Sequence, residues 1–352
     1  MISMTDKPVY INGKFLSQKM SGVQRYASEI TRHLNSNSVL LCPKNQMNST
    51  VYRIEKPLEI IDANAGIIWE QFRLPRALKA KGSPLLLNFC NAAPVFYANK
   101  ITCVHDIAFE RHPEFFSKKF VLYYKWLIPN VLKNSRHIIT VSEFSKREIA
   151  SYYQIDPVNI TVVPNASAFT PNVEINSSKI HSRPYFLFVG SLDPRKNLLF
   201  LLKAFKDAAL NDVDLFIVGA SHASFAVNPE IEAYRKLPNI IFSGYVTDDE
   251  LKTYYAGALA LINPSLYEGF GLPIAEALSM DCPVLASDID AFKEVGGTDV
   301  VYFNTADASE LTNLIKTFNG FKQPAKTKQI KSVTWKTSAE IVDNIIQQIN
   351  TT

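Results

Sequence analysis

Short apolar runs recur along the whole chain, and each is followed by a stretch whose apolar residues lie three or four apart. The runs fall at 9–11, 39–41, 85–88, 101–104, 137–141 and 160–163, and again at 185–189, 215–218, 240–242, 258–262, 284–286 and 300–303. Consecutive apolar positions describe strands covered on both faces. The intervening stretches have helical spacing, as in Tyr26, Ala27, Ile30 and Leu34. Strands alternating with helices require parallel sheets joined by right-handed crossovers, so the fold class is α/β. Residues 168–184 break the pattern. They have no period and contain Pro171, Asn172, Asn176, Ser177 and Ser178, a linker composition. The chain therefore divides into a Rossmann-like domain at 1–167, a linker at 168–184 and a second such domain at 185–335. A last helix at 336–352, with Ile341, Ile345 and Ile349 as its apolar stripe, packs back on the first domain.

Two domains suit a chain of 352 residues. With 47% hydrophobic and 20% charged residues, both can bury full cores. The net charge of +4 is unevenly spread. Residues 1–167 carry 21 Lys/Arg against 12 Asp/Glu, and the remainder carries 16 against 21. A basic first half suggests an anionic surface or substrate on that side, or simply solvated basic helices. The four cysteines, Cys42, Cys90, Cys103 and Cys282, have neither metal-ligand nor disulfide-framework spacing. No signal peptide and no spanning apolar run is recognised, so a cytoplasmic protein is expected. The helical stretch 115–136 is rich in aromatics and Lys/Arg. Its aromatics are mostly core on this reading; the alternative is peripheral contact with an anionic membrane at the inner face of the cell membrane. No nucleic-acid partner is expected.

The richest stretch is Asn263-Pro-Ser-Leu-Tyr-Glu-Gly-Phe-Gly-Leu-Pro-Ile-Ala-Glu-Ala-Leu278. It reads as strand end, glycine loop and helix, with Pro273 suited to a first turn. The N–H groups at Phe270, Gly271 and Leu272 and the positive end of the helix dipole suit a phosphate. Glu268 and Glu276 would repel a phosphate and are better placed to accept from hydroxyls on either side of it. Hydroxyls flanking a diphosphate describe a nucleotide-sugar. Arg195 and Lys196 follow the strand at 185–189 and open the next helix, where cations oppose the dipole; a bound diphosphate removes that conflict. Gly22 stands where a loop enters the first helix, again suiting an anion. His105 and Asp106 end the strand at 101–104, at the carboxyl edge where open α/β sheets bind ligands. Read alone, His105 is a strand-end histidine bonded to backbone; the other motifs in register favour a functional role. Asp288-Ile-Asp290 looks like a metal-binding Asp-X-Asp but reads as structural, and no metal or cofactor is expected. Helix caps are expected at Ser142, Thr247, Asp307 and Thr337.

The Glu-seven residues-Glu wording of 263–278 resembles the retaining GT-B glycosyltransferases of family 4. The resemblance covers nearly the whole chain and is most specific over 185–300; Met280-Asp281 departs from it, standing where the family has a glycine. It implies two Rossmann-like domains facing across a cleft, with the donor on the second and the acceptor on the first. It implies that Arg195 and Lys196 meet the donor diphosphate, Glu268 the sugar hydroxyls and Glu276 the ribose. His105 would approach the donor sugar, Gly22 would lie near donor phosphate and acceptor, and Val246 would lie against the base. The wording of Gly22-Val-Gln-Arg-Tyr and Asp193-Pro-Arg-Lys-Asn is similar to bacterial polysaccharide mannosyl- and rhamnosyltransferases, which points to GDP-mannose as donor. The acceptor would be a glycan or lipid-linked oligosaccharide, as in O-antigen synthesis. A non-hydrolysing nucleotide-sugar epimerase and a non-catalytic nucleotide-sugar-binding partner are the alternatives.

Overall fold

A computed structural model describes residues 8–44, 52, 54–167, 169, 181–219, 229–318 and 333–351. The expected linker lies largely outside the described residues. The chain forms two compact units, one from Met1–Ala166 with Val333–Thr352 and one from Ser167–Ser332.

Unit 1 holds seven parallel strands: β1 (Val9–Asn12), β2 (Ser38–Pro43), β3 (Leu58–Ile61), β4 (Leu86–Asn88), β5 (Lys100–Cys103), β6 (His137–Thr140) and β7 (Ile160–Val162). Their spatial order is β3-β2-β1-β4-β5-β6-β7. Unit 2 holds β8 (Tyr185–Val189), β9 (Asp214–Val218), β10 (Ile240–Gly244), β11 (Ala260–Asn263), β12 (Val284–Ser287) and β13 (Val301–Phe303), ordered β10-β9-β8-β11-β12-β13. In each sheet the winding reverses beside the first strand, between β1 and β4 and between β8 and β11. The crevice at the carboxyl ends of such strands is where open α/β sheets bind ligands. The α/β fold class with two parallel Rossmann-like sheets is thus borne out. Strand β8 shows why its sequence is continuously apolar. Tyr185 and Leu187 enter the core on one face, and Phe186 and Phe188 enter the core on the other.

Strand β3 has no counterpart in the sequence reading. It is an edge strand with Leu58, Glu59 and Ile60 exposed, so burial leaves no apolar signature. Ser142 caps the helix Glu143–Tyr153, and Thr247 with Glu250 forms a capping box. Asp307 likewise caps the helix Ala308–Lys316. The cap of the final helix differs from expectation. The helix runs Trp335–Thr351, and Thr334 and Thr337 exchange backbone-to-hydroxyl bonds at 3.1 and 3.0 Å, so Thr337 lies three residues inside. Its buried stripe is also shifted. Trp335, Ala339, Val342, Ile345 and Ile346 are inside, whereas Ile341 and Ile349 are only half-buried, because a helix buries positions three and four apart in alternation. This helix belongs to unit 1. Trp335 meets Tyr26 edge-on at 6.0 Å, Ser338 donates to Pro164 O at 2.8 Å, and the Asp343 carboxylate accepts from the backbone of Asn35 and Ser36.

In the helix Lys118–Lys133, Phe120 and Tyr124 pack on the core with Val104 and Ile128, and Leu122 and Trp126 are exposed. No helix among the described residues is long and apolar enough to cross a membrane.

Candidate functional site

The unit 2 site begins at the end of β8. Gly190 follows it, and Gly219 ends β9 alongside. At Gly219, φ is 139°, and a Cβ would stand 1.9 Å from Gly190 O, so only glycine fits this approach. The chain then reaches a 3-10 turn, Pro194–Lys196, capped by Asp193, whose Oδ1 accepts from Arg195 N at 2.9 Å. Asn197 at φ 54° separates that turn from the helix Leu198–Ala208. Arg195 and Lys196 therefore do not sit in the first turn of that helix, as the sequence reading supposed. The dipole conflict is absent, and their charge is answered instead by Glu268.

Glu268 follows β11, the neighbour of β8 across the switch point. Its Oε2 accepts from Arg195 Nη1 at 3.0 Å, and its Oε1 accepts from Lys196 Nζ and from Ser265 Oγ, the latter at 2.9 Å. Arg195 Nη1 also donates to Tyr267 O at 2.9 Å. Burial pushes the Glu268 carboxyl up, but Lys196 and Arg195, with hydrogen bonds from Lys196 and Ser265, outweigh it and hold the group at about 2. Glu268 is therefore a carboxylate at any ordinary pH, and it meets two cations, of which Arg195 also lies with its Nε 3.8 Å from Asp193 Oδ2.

The loop ends at Gly271, whose φ of 116° starts the helix Leu272–Ser279. A Cβ there would lie 2.9 Å from the Phe292 ring. The first N–H groups of the helix have no acceptor within it and project from its N-terminus. Phe270 packs on the core of unit 2, as does Val246 beside the Thr247 cap. Glu276, 3% exposed, accepts from Tyr255 OH at 2.9 Å. The helix closes on Met280, and Asp281 takes φ 62°, the conformation a glycine would hold more easily. So the departure noted in the sequence changes the residue and keeps the turn. Asp288 of the Asp-X-Asp pairs with Lys293. Among the described residues, no group of His, Cys, Asp and Glu is placed to hold a metal ion.

Unit 2 thus brings Arg195, Lys196 and Glu268 into direct contact. His105 and Gly22 belong to unit 1. His105 is 6% exposed, and its Nε2 donates to Phe89 O at 2.8 Å. Burial lowers its pKa, so the ring is neutral and Nδ1 is the remaining acceptor. Its backbone N–H donates to Asn91 Oδ1 at 2.8 Å, and its ring meets Tyr26 edge-on at 4.9 Å. Gly22 opens the helix Gly22–His33, with Ser21 at the cap.

The sequence reading missed the carboxyl end of β1. There Lys14 Nζ meets Glu70 Oε2 at 2.9 Å, and Asn12 Nδ2 bridges Glu70 Oε1 at 3.2 Å and Asn88 Oδ1 at 3.0 Å. Glu70, 2% exposed, lies in the π-helical turn Trp69–Arg73, a feature frequent at functional sites. A carboxylate directly after Ile67, Ile68 and Trp69 was the available signal. Ser265 and Tyr255, which hold Glu268 and Glu276, were also missed.

The profile described as glycosyl transferases group 1 matches residues 172–322, and that described as glycosyltransferase family 4 matches residues 20–167. The O-antigen chain mannosyltransferase RfbU of Salmonella typhimurium is 32% identical over 219 residues, 62% of this chain and 60% of that protein. O-antigen chain mannosyltransferase B of Escherichia coli is 31% identical over 209 residues, 56% of this chain and 55% of that protein. The matched region thus spans somewhat over half the length of these curated relatives. Among solved structures, HepE of Anabaena in complex with UDP and glucose superposes with a TM-score of 0.69 at 18% identity, covering 97% of this chain and 98% of that one. Sucrose-phosphate synthase of Thermosynechococcus elongatus gives 0.74 at 16% identity, covering 97% and 99%. At these identities the structures establish the fold, GT-B. The two profiles lie end to end on the two halves whose glycine loops and charged residues have just been described, and the chain belongs to the family 4, group 1 glycosyltransferases.

Proposed function

We propose that this protein transfers a sugar from a nucleotide-diphosphate-sugar to a hydroxyl of a growing surface polysaccharide, with retention at the anomeric carbon. The observation that carries the reading is the convergence of Arg195 and Lys196 on one buried carboxylate, Glu268, at the β8/β11 switch point. Two adjacent cations, in the same domain as the free N–H groups at the start of the helix Leu272–Ser279, suit a leaving diphosphate. Arg195, Lys196 and the N–H groups from Phe270 to Leu272 stabilise its growing negative charge. Glu276 receives the ribose hydroxyls, exchanging its bond from Tyr255. Val246 lies against the base. Glu268 orients the donor-sugar hydroxyls. His105, presenting neutral Nδ1, contacts the donor sugar, and the Gly22 loop lies near phosphate and acceptor; both roles rest on the family resemblance.

Retention follows from a front-face step. The acceptor oxygen bonds to the anomeric carbon as the carbon–oxygen bond to the diphosphate breaks on the same face. The departing phosphate oxygen takes the acceptor proton. Glu268, with both oxygens held by cations, serves as an orienting carboxylate and not as a covalent nucleophile.

The naming of the two relatives as O-antigen chain mannosyltransferases favours mannose as the sugar and a polysaccharide chain as acceptor; GDP-mannose as donor and a lipid-linked oligosaccharide as acceptor rest on the family resemblance. Exposed Leu122 and Trp126 beside Lys118 and Lys119 suit peripheral contact with an anionic membrane on the cytoplasmic side. A thermal-shift screen of GDP-mannose, GDP, UDP-glucose and UDP against the full chain tests the donor. GDP-mannose is expected to raise the midpoint most, because a ligand that binds only the folded state stabilises it. No shift with any nucleotide would sink the reading.

A further inference from the structure

We infer that Asn263 is a positioning residue: its side-chain NH2 donates to Ser265 Oγ, which leaves the Ser265 hydroxyl proton to Glu268. The consequence for the donor sugar rests on the transfer reading above; the chain of hydrogen bonds does not. Asn263 is the last residue of β11, opposite Ala286 of β12. Asn263 is 3% exposed and Ser265 is fully buried. Ser287 Oγ donates to Ser265 O at 2.5 Å, which ties the turn after β11 to the end of β12. Ser265 Oγ stands 2.8 Å from Asn263 Oδ1 and 2.9 Å from Glu268 Oε1. Ser265 N reaches the same Oδ1 at 3.4 Å. Asn263 Nδ2, fully buried, has no hydrogen-bond partner among the described residues.

A single proton decides how this amide faces. A hydroxyl carries one hydrogen, so Ser265 Oγ can satisfy Asn263 Oδ1 or Glu268 Oε1 but not both. Whichever it leaves stands oxygen against oxygen within 2.9 Å, and the buried NH2 stays unpaired as well. Turning the amide by 180° exchanges its oxygen and nitrogen and keeps the shape of the site. Nδ2 then donates to Oγ, and Oγ keeps its hydrogen for the carboxylate. The turn gives up the 3.4 Å bond from Ser265 N, long for an N–H donor, and leaves the carbonyl oxygen as the unpaired group. Glu268 is ionised, and a hydrogen bond to a carboxylate is roughly twice as strong as a neutral one, so the charge selects the turned amide. The relay has a use that the cations do not supply. Arg195 and Lys196 hold Glu268 on long side chains that a diphosphate also attracts. Ser265 is uncharged and buried, so its bond holds Glu268 Oε1 in place for the sugar hydroxyls when the cations turn to the phosphates.

The test has two arms on the full chain. The first labels asparagine with 15N and follows the Asn263 side-chain amide by NMR without nucleotide, the signal being identified by its loss in Asn263→Leu. Ser265→Ala is expected to move its proton upfield and to speed its solvent exchange about tenfold, as for one lost hydrogen bond. An amide signal indifferent to Ser265→Ala would overturn the inference. The second arm measures GDP-mannose and GDP affinities by calorimetry and takes their ratio, in which effects common to both ligands cancel. Asn263→Asp keeps the shape but accepts only, and competes with Glu268 for the Ser265 proton. Its ratio is expected to fall about tenfold. Asn263→Leu neither donates nor accepts, leaves that proton on Glu268, and is expected to lower the ratio at most about threefold. The reverse ranking, with Asn263→Leu the costlier, would mean that the amide oxygen faces the hydroxyl and would also overturn the inference. If Asn263→Asp fails to fold, the NMR arm decides. If wild type binds neither ligand, the donor reading fails and the NMR arm still decides the relay.

Discussion

The two sheets repeat one device with one difference. At the switch point of each, a lysine reached from the first strand meets a buried glutamate: Lys14 with Glu70 in unit 1 and Lys196 with Glu268 in unit 2. Each glutamate takes a further bond from a small polar neighbour, Asn12 in the first and Ser265 in the second. Unit 2 adds Arg195, whose guanidinium meets the same carboxylate at 3.0 Å. Glu70 is thus held by one cation and Glu268 by two, one of which also meets Asp193 at 3.8 Å. On the proposed reading the second cation is what fits unit 2 to a diphosphate, where unit 1 offers a single ammonium.

The largest effect should come from removing that second cation. Arg195→Ala is expected to lower kcat for transfer by about 10²–10³-fold, the usual loss for one preorganised donor to a developing anion. Lys14→Met, its counterpart in unit 1, should instead raise the acceptor KM and leave the donor KM unchanged. Steady-state kinetics with both substrates varied would show the split. Donor KM moving equally in the two variants would break the comparison.

Glu268→Gln sharpens it further, because the expected changes run in opposite directions. Glu268 competes with the diphosphate for Arg195 and Lys196. Without its charge, free GDP should bind about tenfold more tightly, about 1.4 kcal/mol, while transfer slows. Unchanged or weaker GDP binding by calorimetry would show that the cations are not shared. The same variant alters acid stability. The Glu268 carboxyl is held down at about 2 against an ordinary 4.5, so its contribution is present above about 4.5 and is lost as pH falls toward 2. Wild-type stability should fall more steeply through that interval than that of Glu268→Gln.

The repeat of strands and helices was legible because buried parallel strands have to be apolar on consecutive positions, as Tyr185–Val189 shows. The loop at 263–278 was legible because its glycines and carboxylates are close in sequence. What escaped depends on distance along the chain. Nothing local says that Glu70 will meet Lys14 fifty-six positions away, or that Tyr255 will bond Glu276. The strand Leu58–Ile61 escaped because an edge strand is paired on one side only. Arg195 and Lys196 stood out in the sequence as cations opening a helix, yet they lie in a turn before it, since Asn197 starts a new helix after them, and both meet Glu268.

The smallest effects should come from the neighbours that hold the two glutamates, and here the units differ again. Ser265 supplies Glu268 with one hydrogen bond beside two cations, so Ser265→Ala should cost about 1 kcal/mol in stability. Asn12 supplies more: its Nδ2 reaches Glu70 and Asn88, and its Oδ1 accepts from Lys14 N at 3.2 Å. Asn12→Ala leaves those groups short of partners inside a buried network and should cost about 2 kcal/mol. Urea midpoints of the two variants rank them. Were Ser265→Ala the costlier, the carboxylate of unit 2 would depend on its hydroxyl neighbour more than on its cations, and the contrast between a glutamate held by one cation and one held by two would lose its electrostatic basis.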